Sequence, residues 1–184
     1  VGVPLGGGQF HDDIHINDIR RWAQGMQNAN PLYFENEYAA DSVLGEIVAP
    51  QSFTVNCTVG HGATPAIQGY IDGTHMLFGG DEWWFNGPRI RPGDLVRSER
   101  MLFDYVVKNT KFAGPTMFSR GDTTYINQVG EVIGRQRSTS IRYFAEEAAR
   151  IGGDYGEARE DPVWSDEDLE SLEKQKFEYY RTFH

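Results

Sequence analysis

Cysteine is almost absent from this sequence, which has one, Cys57, in 184 residues. A lone cysteine cannot close a disulfide within the chain, and this favours a reducing compartment such as the cytoplasm. No cysteine or histidine stands near it at the spacing of a metal site, so we expect no metal ion. Free cysteines are common in protein cores, and we predict that Cys57 is a buried core residue rather than a catalytic nucleophile.

Excess positive charge and long apolar runs are also missing. The chain has 17 Lys and Arg against 27 Asp and Glu, a formal net charge of -10, which argues against the basic stripe that nucleic-acid binding needs. No apolar run approaches the roughly 20 residues of a membrane span. The N-terminal stretch VGVPLGGGQF lacks a basic segment followed by an apolar one, so we expect no secretory signal. These absences predict no nucleic-acid partner and no membrane partner.

Apolar and turn-forming residues, in contrast, are plentiful. Hydrophobic residues make up 39% of the chain, which also has 21 glycines and 8 prolines, as expected of an ordered globular domain with many turns. We predict one main domain over residues 1–146. An acidic linker and a C-terminal helix follow over 147–184, where Ser165 caps a helix that runs to about Tyr180.

Three helices are predicted in the first third of the chain. Asn17 is a suitable N-cap for a helix that ends near Gln27, with apolar residues recurring on one face. Pro31 disfavours helical geometry at Asn30, so NANPLY forms a loop, and a short helix follows over residues 37–43. The third helix begins at Pro50, covers residues 50–60 and is apolar on most sides. We therefore expect it to be the buried central helix.

Most of the remaining chain is predicted to form strands. Residues 61–73 have a loop-like composition, and the glycine-rich N-terminus permits one short strand. Four long strands then cover residues 75–86, 94–108, 115–127 and 131–144. Their short connections imply an antiparallel sheet. Alternation along the first of these strands places Trp83 and Trp84 on opposite faces, and we expect one to pack in the core and the other to contact a partner.

Five sequence blocks resemble one known family. They read INDIRRWAQGMQNANPLYFENEYA, GEIVAP, GGDEWWFNGPRIRPGD, YINQVGEVIGRQRSTSIRYF and WSDEDLESLE, and their order resembles that of the MaoC-like acyl dehydratases, in particular the N-terminal type of the FAS1-like dehydratases. The resemblance implies an α+β hot-dog fold, in which a curled antiparallel sheet surrounds a central helix, here with a C-terminal helical extension. It implies a 2-enoyl-CoA hydratase or 3-hydroxyacyl dehydratase activity, with a CoA thioester as substrate and no cofactor.

The catalytic motif of this family is altered in the present sequence. Active members carry G-D-x-N-P-[IL]-H, whose Asp and His act on water and on the α-carbon proton. The Asp position falls on Asn28 and the His position on Tyr33, while Asn30 and Pro31 match the motif. The amide of Asn28 has no titratable proton near neutrality. A phenol such as that of Tyr33 ordinarily keeps its proton at neutral pH, because its unperturbed pKa is about 10. The family's glycine at the oxyanion position falls on Gln51.

The resemblance then implies a dyad-lacking subunit that shapes the acyl tunnel for a catalytic MaoC-like partner chain. Similar subunits handle bulky acyl groups such as a steroid side chain, and the resemblance extends that expectation to this chain. It implies a hetero-oligomer, either a heterodimer or a dimer of heterodimers. No catalytic residue is expected in this chain. Substrate contacts are expected from six residues, namely Asn30, Pro31, Tyr33, Pro50, Gln51 and Phe53. Arg135 and Arg137 are candidates for binding the CoA phosphates, because strand alternation puts them on one face and Arg142 on the other.

Three alternatives stay open at this stage. A self-sufficient hydratase could use Tyr33 together with His61. A hot-dog thioesterase usually needs a carboxylate on or near the central helix, and residues 50–60 contain none. A binding module could hold an acyl thioester without catalysing any reaction on it.

Overall fold

The computed structural model describes residues 1–7, 13–57, 64–152 and 163–182. The chain divides into two compact units, Val1–Ile151 and Gly152–His184. The sequence places the corresponding boundary between residues 146 and 147. The five residues that follow in the first unit belong to a short helix that the sequence pattern does not predict.

The first helix, α1, covers Ile16–Gly25 and begins earlier than predicted. The N-cap is His15 rather than Asn17, which is a correction to the sequence prediction. Nδ1 of His15 accepts a hydrogen bond from the Asn17 backbone at 3.2 Å, and the Asp18 carboxylate accepts one from the His15 backbone at 3.2 Å. These reciprocal bonds satisfy two backbone donors at the helix start, which explains why the helix begins at Ile16.

The predicted short helix is confirmed as α2, Asn36–Asp41. The predicted central helix is confirmed in position but not in type. Within the described residues it is a 3₁₀ helix, Gln51–Cys57, that buries Phe53, Thr54 and Cys57, while Val55 is 47% exposed. The expectation of a helix apolar and buried on most sides is therefore wrong for this segment. The Thr54 hydroxyl donates to the Gln51 carbonyl at 2.9 Å, a local bond that accompanies the tight 3₁₀ turn.

Five strands form one antiparallel sheet in the described part of the chain. Four are the predicted long strands, and the fifth is the short N-terminal strand that the sequence permits. They are β1 (Pro4–Gly7), β2 (Thr74–Trp84), β3 (Val96–Thr110), β4 (Gly114–Asn127) and β5 (Val132–Phe144), in the spatial order β1-β3-β4-β5-β2. Among the strands of the described residues, β2 therefore lies at one edge of the sheet and pairs with β5 alone. A register shift between Phe78 and Gly80 interrupts this pairing.

The core lies between this sheet and the segments that precede it. Phe53 from the 3₁₀ helix is 2% exposed and meets the Trp22 ring edge-on at 6.1 Å. Trp83 packs against this core and stacks on Tyr125 at 5.7 Å, which confirms the core position predicted for one of the two tryptophans. The buried members of the cluster are Ile19, Ala39, Ile47, Ala49, Phe53, Cys57, Ile90, Val96, Tyr125 and Ile133.

Another 3₁₀ segment, Thr64–Ile67, covers part of β4. The Ser119 hydroxyl of β4 donates to the Ala66 carbonyl at 2.5 Å. Gly121 is required there, because a Cβ atom at this position would lie 2.4 Å from backbone atoms of Pro65 and Ala66. The predicted loop 61–73 therefore contains a docked helical turn, and its first three residues lie outside the described residues.

Two further α-helices complete the described chain. Helix α3, Ala145–Gly152, follows β5 directly. Helix α4, Asp166–Thr182, lies in the second unit, and its predicted cap is confirmed because the Ser165 hydroxyl accepts from the Asp168 backbone at 3.1 Å. The same serine donates to the Asp168 carboxylate and lowers its pKa. No helix in the described residues is both long and apolar enough to cross a lipid bilayer.

Candidate functional site

The loop that carries the altered motif is ordered by its own amide side chains. The Asn28 backbone N–H donates to the Ala23 carbonyl at 2.8 Å and closes the end of α1. The Asn28 side-chain oxygen accepts from the Asn30 backbone at 3.4 Å, and that of Asn30 accepts from the Leu32 backbone at 3.0 Å. Asn30 thereby caps the 3₁₀ turn Pro31–Tyr33. The two amides hold the turn, which is a structural role.

Tyr33 occupies the histidine position of the motif and is a core residue. It is 8% exposed and packs with Ala23 and Val48 in a small apolar cluster. Leu32 packs against both this cluster and the main core, and so connects the loop to the 3₁₀ helix that begins at Gln51. Burial among apolar side chains gives Tyr33 a packing role, and packing requires no proton transfer.

Hydrogen bonds hold the chain in place around the start of the central helix. The Ala49 backbone donates to the Ile90 carbonyl at 2.8 Å, and the Phe53 backbone donates to the Pro50 carbonyl at 2.9 Å. Trp22 Nε1 donates to the Ser52 hydroxyl at 3.1 Å. Because the first N–H groups of a helix have no partner within it, the backbone at Gln51 can serve a ligand oxygen.

A crevice lies beside this helix start. Its open space is about 10 Å³, roughly the volume that one water molecule needs. Of the six predicted substrate residues, Pro50 and Gln51 line it. The full lining of this helix-start crevice is Ala49, Pro50, Gln51, Thr54, Phe85, Gly87, Pro88, Arg89, Ile90 and Ile133. This crevice, as the described residues form it, is too small for an acyl chain.

A second crevice lies on the other side of the same sheet end. Its volume is about 320 Å³, and it is lined by Trp84, Asn86, Val132, Gly134, Arg135 and Arg137. We refer to it as the Trp84 crevice. Arg135 and Arg137 share it, as strand alternation predicts, whereas Arg142 is buried and donates to the Ile67 carbonyl at 3.3 Å.

Arg137 is engaged by a carboxylate within the chain. Its Nε and Nη2 donate to the two oxygens of Asp122 at 2.7 and 2.8 Å, and its guanidinium lies 3.4 Å from the centre of the Phe103 ring. The hydrogen bond with Asp122 raises the pKa of Arg137. Sequence reasoning missed this pair, although Asp122 and Arg137 are directly opposite each other on β4 and β5.

The remaining candidate groups do not assemble into a catalytic centre among the described residues. His61, needed by the self-sufficient alternative, lies outside those residues. His15 caps α1, and His75 meets the Tyr143 ring edge-on at 6.1 Å. Burial, followed by the charge of Asp94, raises the pKa of the Cys57 thiol to about 12. A thiol that keeps its proton is a poor nucleophile, which agrees with the core role predicted for Cys57.

Comparison with known proteins agrees with this architecture. A family model described as "FAS1-like, dehydratase domain region" matches residues 1–136. A "Probable enoyl-CoA hydratase alpha subunit" from Thermomonospora curvata is 27% identical over 157 residues, which cover 78% of this chain and 48% of that protein. The chain thus spans about half the length of this relative.

Solved structures share the fold. The ChsH1-ChsH2 complex from Mycobacterium tuberculosis matches with a TM-score of 0.61 and 16% identity, over 77% of this chain and 84% of that chain. The MaoC-like dehydratase from Rhodospirillum rubrum matches with a TM-score of 0.58 and 22% identity, over 78% of this chain and 92% of that chain. The family match over residues 1–136 shows that the chain belongs to the FAS1-like dehydratase domain family, and its fold is shared with the MaoC-like dehydratase structure.

Proposed function

We propose that the chain is the non-catalytic subunit of a heteromeric 2-enoyl-CoA hydratase. The observation that carries the proposal is the occupation of the two acid–base positions by Asn28 and Tyr33. Asn28 is used to hold the loop and Tyr33 to fill an apolar cluster. General acid–base catalysis needs a group that exchanges a proton near the operating pH, and neither side chain is arranged for this. The dyad would then come from a partner chain with the same fold.

The edge strand β2 gives such a partner a place to bind. One side of β2 pairs with β5, and its apolar residues Met76, Leu77 and Phe78 are 48%, 48% and 69% exposed. An edge strand with exposed apolar residues invites pairing with another chain. The relative from Thermomonospora curvata is named an alpha subunit, and the ChsH1-ChsH2 structure is a complex, which supports a heteromeric assembly here.

The narrow helix-start crevice supports the same proposal. With about 10 Å³ of open space, it cannot hold an acyl chain in the isolated subunit. A partner on the β2 edge would supply the opposite wall of the tunnel. In that assembly Pro50 and Gln51 contribute one wall, and Asn30, Pro31 and Tyr33 fix the loop. Phe53, predicted as a substrate contact, is instead a core residue. Arg135 is the better candidate for a CoA phosphate, because Asp122 already holds Arg137.

The test is hydration of 2-enoyl-CoA by the chain alone, by a MaoC-like chain with an intact Asp/His dyad alone, and by the two together. We expect no turnover from this chain alone and the highest rate from the mixture. A panel from short acyl groups to a steroid side chain then defines the substrate. Substantial turnover by the isolated chain would refute the proposal.

A matched pair of variants separates this proposal from the self-sufficient hydratase. In the complex, Tyr33→Phe keeps the ring in its apolar cluster and should leave the rate within about twofold. Replacement of the partner's dyad carboxylate by its amide should abolish turnover. If Tyr33→Phe instead abolishes turnover, Tyr33 takes part in the chemistry. Release of free CoA from a saturated acyl-CoA would identify a thioesterase, and tight acyl-CoA binding without any reaction would identify a binding module.

A further inference from the structure

The second half of β3 is left without a neighbour on one side. β1 pairs with the first half of β3, and this contact extends to Leu102, whose carbonyl accepts from the Gly2 backbone at 2.9 Å. Beyond it, over residues 103–109, no strand of the described residues lies on that side of β3, whereas β4 pairs with it on the other. A bare strand edge presents backbone N–H and C=O groups that can pair with a further strand. We refer to residues 103–109 as the β3 edge.

The β3 edge has the composition of a strand that pairs. Tyr105, Val106 and Val107 follow one another and are 59%, 45% and 58% exposed. Aromatic and β-branched residues favour strands because their side chains pack against those of a neighbouring strand. The edge contains no proline, and the irregularity in the pairing of β3 with β4, between Leu102 and Asp104, lies at its start. Its centre is therefore regular and apolar.

One charge of each sign flanks this apolar run. Asp104 precedes it and Lys108 follows it, so the sequence reads Asp-Tyr-Val-Val-Lys. The Asp104 side chain is paired with Arg120 but is still 39% exposed. Lys108 is exposed and belongs to none of the ion pairs among the described residues. Both charges are thus accessible to another strand.

An antiparallel copy of the same segment matches the β3 edge in one register. When a twofold axis passes through Val106, each Asp104 lies opposite the Lys108 of the other copy. Each Tyr105 then lies opposite a Val107, and the two copies of Val106 meet at the axis. Residues directly opposite each other have side chains on the same face of the sheet, so these pairs are in contact. Moving the axis by one residue in either direction puts a charge opposite Val106. The axis also lies at the midpoint of the β3 edge.

We infer that the β3 edge is a self-association surface, where a second copy of this chain pairs in antiparallel fashion about Val106. The two sheets continue into one another across this contact. The β3 edge and β2 lie on opposite sides of the sheet, so a second copy and a dyad-bearing partner can bind at the same time. Self-association does not depend on the proposed hydratase function, and it is measured on this chain alone.

Sedimentation velocity over a concentration series measures the association. We expect a monomer–dimer equilibrium that weakens at high salt, because salt screens the charge pairs. Lys108→Glu should raise the dimer dissociation constant at least about tenfold, because the twofold axis creates each like-charge contact twice. Val106→Lys should abolish the dimer, because two cations would meet at the axis. Lys174→Glu, at an exposed position of α4, is the control with the same change of net charge, and circular dichroism verifies that each variant is folded.

Cysteine substitutions determine the register. Two residues that face each other at the axis have Cα atoms about 4.5–5.5 Å apart, which a disulfide can bridge. Val106→Cys should therefore give a covalent dimer on mild oxidation. Val107→Cys is the matched control, because its two copies would lie about 8 Å apart, too far for a disulfide. The native Cys57 is buried and should not interfere.

Several results would overturn the inference. One is a chain that stays monomeric at every accessible concentration, and another is a dimer that both Lys108→Glu and Val106→Lys leave intact, since the contact then lies elsewhere. Equal cross-linking of Val106→Cys and Val107→Cys would exclude the register. Stronger association of Lys108→Ala than of the wild type would show that Lys108 protects the edge from pairing. If Val106→Lys instead releases the dyad-bearing partner from the complex, the edge binds that partner and not a second copy.

Discussion

The ion pair between Asp122 and Arg137 allows a quantitative test of the structure through Asp122→Asn. The carboxylate accepts two hydrogen bonds at 2.7 and 2.8 Å, and the two side chains are only 2% and 17% exposed. Removal of one partner of a buried pair leaves the other charge without compensation and costs about 3–5 kcal/mol. Since Arg137 keeps some contact with solvent and lies on the Phe103 ring, we expect about 3 kcal/mol. That is a large part of the roughly 5–15 kcal/mol by which domains are stable.

The same sheet provides a matched control in Asp104→Asn. Asp104 and Arg120 form a pair of the same geometry, with Arg120 Nε donating to Asp104 at 2.7 Å, but their side chains are 39% and 41% exposed. Exposed pairs contribute about 0–1 kcal/mol because water already solvates and screens both charges. The two variants remove the same carboxylate charge from the same kind of pair. Only burial differs between them.

Urea unfolding followed by far-ultraviolet circular dichroism measures both variants. With a slope of about 2 kcal/mol per molar urea, Asp122→Asn should lower the midpoint by about 1.5 M, and Asp104→Asn by no more than about 0.5 M. Removing both charges of the buried pair, in Asp122→Asn with Arg137→Gln, should recover part of the loss. If both single variants cost less than about 1 kcal/mol, burial does not decide the strength of these pairs and the reasoning is wrong.

Three further predictions concern the core and the covering segment. Phe53→Ala should lower the free energy of unfolding by about 3–5 kcal/mol. Val55→Ala, at the exposed position two residues later, should lower it by less than about 0.5 kcal/mol. Similar costs for the two variants would contradict the packing of the 3₁₀ helix. The pKa of Cys57 is raised from 9.0 to about 12, so the folded state favours the protonated thiol. The resulting stability is present below pH 9 and is lost as the pH rises towards 12, by about 4 kcal/mol in full. Cys57→Ser should flatten this part of the pH–stability profile, and an unchanged profile would refute the assignment. Gly121→Ala should lower the free energy of unfolding by about 1–3 kcal/mol, because its Cβ would collide with the backbone of the segment Thr64–Ile67. An unchanged urea midpoint would show that this segment does not dock as described.

Much of the fold was predictable because it depends on local chemistry. Alternation and short connections in the second half of the chain predicted four strands that are confirmed as β2 to β5. The antiparallel pairing of β3 with β4 and of β4 with β5 follows from connections too short for a crossover. The position of β2 beside β5, and not beside β3, is a feature of the tertiary structure. The cap at Ser165 was predictable for the same reason, since a side chain and a backbone group three residues apart decide it.

Two predictions were wrong, the cap of α1 and the type of the central helix, and each depends on contacts that a sequence pattern does not reveal. The cap at His15 requires the imidazole to accept a backbone hydrogen bond while Asp18 bonds back, and His is not a preferred N-cap residue. The segment from Gln51 to Cys57 has the apolar residues of a buried helix. However, the space beside the sheet accommodates only some of them, so Val55 is left exposed. Packing decided both the type of helix and the face that is buried.

Some features of the candidate site were likewise determined by the sequence alone, and others only by the tertiary structure. The sequence by itself determined that the acid–base pair is missing, because the identities of Asn28 and Tyr33 decide this in any fold. It also determined the turn at Asn30 and Pro31, which short-range dihedral and hydrogen-bonding preferences fix. Only the tertiary structure decided which arginine remains available for a ligand. Asp122 is fifteen residues from Arg137 along the chain, and the pairing of β4 with β5 brings them together and leaves Arg135 exposed beside Trp84.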